Sequence, residues 1–261
     1  MVSELKLYVE SLLNKGKRTD LRRFDEYREP ITIEYGVSSK SAEGSARVTL
    51  GETIVIAGVK LGVDKPYPDN PDEGTIIVNS ELLPLSSPDF EAGPPDVNAI
   101  ELSRIVDRAI RESKALDFKK LCIKRGEKCW IVFIDIYSIN DAGNLFDAAN
   151  LAALAALKDA RFPKYDTETG TVKYDERTEK HIELEKMPIS CTILKIGKNF
   201  IFDPTIDEEN SMDARLTVAT ADNDTICAMQ KGGETPLSID EIKTMVDMAL
   251  NKREELLQHL K

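Results

Sequence analysis

The residues of this chain that could do chemistry fall into three groups. DPTIDEENSMDARLTV crowds Asp203, Asp207, Glu208, Glu209 and Asp213 into one short run. Oxygen ligands at that density could hold Mg²⁺, or one carboxyl could act as a general acid; structural or partner support is the competing reading and the one favoured here. Arg104, Arg108 and Arg111 recur at helical spacing, which at about 100° per residue draws a narrow stripe along one side of a helix. Forked guanidinium donors suit phosphate oxygens, but the stripe could equally face water, with Asp107–Arg111 and Arg108–Glu112 pairs worth a few tenths of a kcal/mol each. The third group is the DAGNLFD stretch, Asp141 to Asp147. A turn from strand to helix points free N–H groups at an anion, yet this one has a single glycine, no hydroxyl, no cation and two carboxylates, a poor fit for phosphate. Cys122, Cys129, Cys191 and Cys227 lie in or beside strand-like runs without a CxxC pair, and the histidines are His181 and His259. They read as reduced core cysteines, and neither a metal nor a cofactor is expected.

Apolar periodicity shows which elements must position these groups. Trp130 to Leu157 reads as a β-branched strand containing Val132, Ile134, Ile136 and Ile139, then the turn, then a helix. Leu151, Ala152, Leu154, Ala155 and Leu157 make that helix apolar nearly all round, so it should be buried, with alanines permitting close approach. A second helix, from about Asn98 to Ser113, turns Leu102, Ile105, Val106, Ala109 and Ile110 inward and so directs the three arginines away from its own core.

Ser3 to Lys15 forms an amphipathic helix with Leu5, Tyr8, Val9, Leu12 and Leu13 on one side and Gly16 as its cap. KRTDLRRFDEYREP, with Arg18, Asp20, Arg22 and Arg23, leads into a first strand at Ile31–Tyr35 and reads either as a solvated lead-in or as an interface. SARVTLGETIVIAGVKLG forms a hairpin around Gly51 and Glu52, KPYPDNPDEG an exposed loop, TIIVNSELLPL a strand and PISCTILKIG another. DARLTVATADNDTICAMQKGG echoes the first hairpin: Ala46 to Leu50 align with Ala214 to Val218, and Thr53-Ile54 with Thr225-Ile226. Two related halves follow. Ser238 and Glu241 form a capping box for a helix running to Lys261, with Ile242, Met245, Val246, Met248 and Ala249 as its buried stripe.

With 261 residues and 41% hydrophobic content, the chain can build one large or two modest cores. It divides into an N-terminal helix and arm (1–30), a first half (31–163), a polar connection (164–186) where a short hairpin could form, and a second half with the C-terminal helix (187–261). The fold class is α+β, two similar halves each with a small sheet packed by helices. A net charge of −11 opposes nonspecific nucleic-acid binding by the chain alone, so RNA would have to be met by a local basic patch or a partner. No apolar run approaches the roughly 18 residues of a membrane span, and the N-terminus lacks signal-peptide features, so no membrane association and a cytoplasmic location are expected.

The strand, turn and Ala-rich helix resemble the ribonuclease PH family over about the whole chain. NAIELSRIVDRAIRES, DAGNLFDAANLAALAAL and MDARLTVAT are most similar to the non-catalytic ribonuclease PH-like ring subunit of the archaeal exosome. Active family members carry a Gly-Gly-Thr/Ser-Arg type turn that holds phosphate; Leu145 and Phe146 stand at the arginine and hydroxyl positions here. Their Arg-x-Asp-Gly-Arg element is matched by Arg18 to Arg22 with Leu21 in place of glycine. Their two essential aspartates, six residues apart, align with either Asp207 and Asp213 or Asp203 and Glu209. The family's arginines near bound phosphate and RNA match Arg104, Arg108 and Arg111. The resemblance thus implies a ribonuclease PH-like fold and no catalytic residues in this chain. It implies a catalytic homologue as partner in a hexameric ring, RNA-binding cap proteins, and single-stranded RNA degraded 3′ to 5′ with phosphate. An active phosphate-dependent exoribonuclease, or a protein-binding scaffold without RNA contact, are the competing functions.

Overall fold

The computed structural model describes residues 4–222 and 225–260. The expected helix start at Ser3 and the terminal Lys261 lie outside the described residues. Helix α1 (Glu4–Asn14) stops where Gly16 takes a φ of +72° and its N–H bonds back to Leu13 O at 2.9 Å. Val9 and Leu13 bury against Leu194, Ile196 and Ile201 of the second half, so α1 is packed on the body of the protein, although Tyr8 is 59% exposed.

The first sheet comprises β1 (Ile31–Tyr35), β2 (Gly44–Leu50), β3 (Thr53–Asp64), β4 (Thr75–Leu82) and, after helix α2 (Val97–Ser113), β5 (Cys122–Lys124) and β6 (Lys128–Asn140). Its order is β1-β2-β3-β6-β4, with β5 beside β6. Only the β4–β6 pair among these is parallel, and α2 supplies the crossover that a parallel pair requires. Burial alternates along β3 and β6, the signature of a sheet with one face in the core.

Helix α3 (Leu145–Asp159) follows the turn and is buried at every position from Asp147 to Leu157. It lies between β2 and β3 on one side and the second sheet on the other. Its alanines allow this: a Cβ at Gly44 would lie 2.3 Å from the Ala156 carbonyl, so strand and helix backbones are in direct contact. The hairpin β7 (Arg161–Asp166) and β8 (Thr171–His181) begins three residues before the expected polar connection and fills most of it, anchored by Phe162 and Tyr165 packed edge-on against Trp130.

The second sheet is built from β9 (Ile189–Ile196), β10 (Asn199–Phe202), the one-turn helix α4 (Ile206–Glu209), β11 (Ala214–Ala221) and β12 (Thr225–Gly232), in the order β10-β9-β11-β12. Helix α5 (Ile239–Leu257) packs on β9 and β11, and its Ser238–Glu241 capping box forms as expected. The order β9-β11-β12 repeats β1-β2-β3: Ala46 opposes Tyr35 at the end of β1, and Ala214 opposes Lys195 near the end of β9. Two related halves are therefore visible in pairing as well as in wording.

Candidate functional site at the α3 turn

Asn144 enters α3 in the left-handed conformation, φ 57° and ψ 42°, and its neighbour Gly143 has a φ of +98°. A Cβ at Gly143 would sit 2.3 Å from the Pro204 carbonyl, so the turn lies directly on the acidic segment of the second half. Two of its N–H groups are engaged by the chain's own carboxylates, and Ala142 N–H donates to Thr53 Oγ1 at 3.2 Å. Gly143 N–H donates to Asp141 at 2.9 Å and Asn144 N–H to Glu209 Oε1 at 2.9 Å, while the Asn144 amide bonds Asp147 and Asp203, each at 3.0 Å. The carbonyl side is held by Arg28, which donates to Ala142 O and Gly143 O, and by Thr53, which donates to Gly143 O at 2.6 Å.

The charge of this site is set by burial. Glu209 keeps some surface exposure as a residue, but desolvation of its carboxyl and the nearby Asp141 push its pKa up to about 7 against the pull of Asn144 N–H, Arg215 and Arg28. Asp147 is fully buried, and burial raises it to about 6 despite hydrogen bonds from Thr192 and Asn144. A cleft of about 290 Å³ opens above the turn, floored by Leu145 and Phe146 and edged by Asp141, Glu209 and Arg215. Arg215 is partly committed: its guanidinium lies 4.0 Å over the Phe146 ring and a terminal nitrogen donates to Glu101 of α2 at 2.7 Å, while its buried Nε has no partner among the described residues. The cleft thus sets Asp141, Glu209 and apolar surface beside the turn, with Ser87, Asn98 and Asn210 as its neutral polar lining.

The N-terminal arm is only partly the solvated lead-in: the Arg22–Asp20 and Arg23–Asp25 pairs form at its surface, but other arginines turn inward. Arg18 is 1% exposed and bonds Glu208 through Nε at 2.9 Å and a terminal nitrogen at 2.5 Å, with further bonds to Phe202 O and Asp203 O. Arg22 and Arg28 both bind Asp203, at 2.9 Å. The arm is therefore an internal clamp across the two halves, because the carboxylates it needs lie about 180 residues downstream. Leu21, at the position where the family resemblance places glycine, has a φ of +67° and is 82% exposed. Leu21 thus takes a backbone shape that favours glycine.

The clamp also separates the two alignments of the acidic run. Asp203 and Glu209 meet the turn through Asn144. Asp207 is exposed, and Asp213 instead bonds Gly197 N–H at 2.6 Å and pairs with Lys6 of α1 at 2.5 Å. Partial burial pulls the Asp213 pKa upward, but the Lys6 and Gly197 bonds hold it below the usual aspartate value. Asp213 thus ties α1 to the second half, while the Asp207 carboxylate has no hydrogen-bond or ion-pair partner among the described residues. Sequence reasoning did not single out Arg28, Arg215 or Tyr27, whose hydroxyl bonds Asp147 at 3.2 Å; each acts through a partner remote in sequence.

The stripe on α2 lies outside this cleft. Asp96 caps the helix by accepting from Ala99 N–H, and Leu102, Ile105, Val106, Ala109 and Ile110 are buried as expected. Arg111 forms the expected pair with Asp107 of its own helix, at 2.7 and 3.0 Å, and is drawn down onto the body by Ile76 O at 2.9 Å. Arg104 and Arg108 are exposed, and among the described residues neither makes a hydrogen bond or ion pair, so the Arg108–Glu112 pair does not form. Of the four cysteines, Cys129 and Cys191 are core residues, whereas Cys122 and Cys227 are only half-buried.

The 3′ exoribonuclease family matches this chain twice, with its domain 1 over residues 26–163 and its domain 2 over residues 186–252. The chain belongs to the 3′ exoribonuclease family. Within it, the chain is 46% identical over 252 residues to the exosome complex component Rrp42 of Methanothermobacter thermautotrophicus, spanning 97% of this chain and 92% of that protein. It is also similar, at a TM-score of 0.90 and 44% identity over 98% of both chains, to a chain of the Archaeoglobus fulgidus exosome with RNA bound to the active site. A chain of an archaeal exosome core matches at a TM-score of 0.85 and 41% identity, over 98% of this chain and 96% of that one. The fold is the ribonuclease PH-like fold that the sequence resemblance implied.

Proposed function

We propose that this chain is a non-catalytic subunit of an archaeal exosome core. It alternates with a catalytic homologue in a hexameric ring, shapes that neighbour's active site, and takes part in 3′ to 5′ phosphorolytic degradation of RNA in the cytoplasm, with RNA-binding cap proteins on the ring. The observation that carries the non-catalytic reading is the α3 turn. Phosphorolysis needs an anion site, and here Asn144 N–H is bonded by Glu209, Gly143 N–H by Asp141, and Leu145 and Phe146 fill the places of cation and hydroxyl. A phosphate there would meet carboxylates. The same reading divides the chain near the 164–186 connection, with each half folding around its own sheet.

Arg104 and Arg108 are the RNA-binding residues of this reading. Both are exposed and unpaired among the described residues, whereas Arg111 is held by Asp107 and Ile76 O and supports the stripe from below. In the assembled ring, Arg104→Ala with Arg108→Ala should weaken RNA binding and flatten its salt dependence, by roughly 0.7 in log–log slope for each single-strand phosphate that is no longer neutralised. Size-exclusion chromatography establishes assembly, and RNA titrations at several salt concentrations follow. An unchanged slope in an intact ring would return the stripe to water, and dissociation of the ring would place it at a subunit interface.

A further inference from the structure

Cys122 and Cys129 are paired across the strands where β5 runs antiparallel to β6, next to a shift of register between Cys122 and Lys124. Directly opposed residues of an antiparallel pair have Cα atoms about 4.5 or 5.5 Å apart, depending on the type of pair, and both values fall inside the roughly 4.4–6.8 Å window of a disulfide. The two thiols differ in access: Cys122 is half-buried, while Cys129 is 2% exposed beneath it. That asymmetry is the arrangement of an attacking and a resolving thiol.

We propose that Cys122 and Cys129 form a reversible thiol–disulfide exchange site that takes a low-molecular-weight disulfide as its oxidant. The Cys122 thiolate attacks one sulfur of the oxidant R–S–S–R, forming Cys122–S–S–R and expelling one R–S⁻, which takes up the proton that Cys122 has lost. The Cys129 thiolate then attacks the Cys122 sulfur, forming the Cys122–Cys129 bond and expelling the second R–S⁻, protonated in turn. Two thiols are oxidised by two electrons and one disulfide is reduced to two thiols. Burial, with the Cys122 and Asp64 neighbours, raises the Cys129 pKa, so Cys122, the more accessible thiol, attacks the oxidant first. The other two cysteines lack this geometry, since Cys191 is sealed in the core and Cys227 lies on β12 of the other sheet.

Closure would pin the short strand β5 to β6 immediately before Trp130, the only tryptophan of the chain, which packs on Phe162 and Tyr165 of the β7–β8 hairpin. The site therefore carries its own optical reporter. The full chain is incubated with oxidised glutathione, alkylated with iodoacetamide and mapped by peptide mass spectrometry, with Trp130 emission followed in parallel. The expected result is a Cys122–Cys129 cross-linked peptide lacking two hydrogens, reversed by dithiothreitol, with a melting temperature raised by about 3–8 °C. Cys129→Ser should instead trap glutathione on Cys122. Full alkylation of both cysteines after oxidation, or a stable glutathione adduct on Cys122 of the unsubstituted chain, would overturn the proposal whether or not the variant folds.

Discussion

Arg18→Met tests the claim that the N-terminal arm is an internal clamp. The side chains of Arg18 and Glu208 are both 0% accessible, and Arg18 also serves the carbonyls of Phe202 and Asp203, each at 2.9 Å. Methionine keeps much of the apolar volume and removes every donor, leaving Glu208 with the Thr205 N–H as its remaining bond. Breaking a buried pair from one side costs about 3–5 kcal/mol because the other charge stays behind uncompensated. Against a total stability of roughly 5–15 kcal/mol, that is a large fraction. With a urea dependence near the upper end of about 1–3 kcal/mol per molar, the unfolding midpoint should fall by about 1–2 M at unchanged slope. Adding Glu208→Gln should then recover part of the loss, since the stranded charge is gone. A single-mutant shift below about 0.3 M would refute the clamp, and no recovery in the double mutant would show that packing, not charge, sets the loss.

Glu209 and Asp147, with pKa values of about 7 and about 6, lie above their unfolded-chain values, so the native state binds protons that the unfolded chain does not. Their stabilisation is complete below about pH 4 and is lost as pH rises toward 7; between about pH 5 and 7.5 the wild type should lose about 1–4 kcal/mol from this source in urea melts, and Glu209→Gln with Asp147→Asn should flatten that slope. Asp213 works in the opposite sense, contributing above about pH 4 and losing its contribution as pH falls. Asp207→Asn with Asp213→Asn should leave turnover of the assembled complex within a few-fold, whereas loss of a true general acid lowers rate by roughly 10²–10⁴-fold; such a drop with assembly intact would make these carboxylates catalytic. Leu21→Gly, at a φ of +67°, should leave the chain as stable or raise its stability by up to about 1 kcal/mol, measured as a melting temperature that does not fall.

The sequence by itself determined the elements. A β-branched strand followed by an alanine-rich, all-round apolar stretch can form little other than a sheet strand and a buried helix, and α3 is buried at every position from Asp147 to Leu157. Local chemistry was equally legible, because caps and hydrophobic faces are read within a few residues: the Ser238–Glu241 box, the Gly16 stop and the buried face of α2 all form. The lack of a cation and a hydroxyl in DAGNLFD was visible for the same reason. Tertiary structure decided where charges found partners. Arg18 looked like a water-facing arginine until Glu208 came to it from 190 residues away, and Asp203 became the hub of Arg22, Arg28 and Asn144 only when the two halves closed on each other. It also split the α2 stripe, since the Ile76 carbonyl that draws Arg111 down belongs to a strand 35 residues earlier, leaving Arg104 and Arg108 facing outward. Periodicity states which face of an element is buried; which charge on the other face is neutralised depends on chain brought in from far along the sequence.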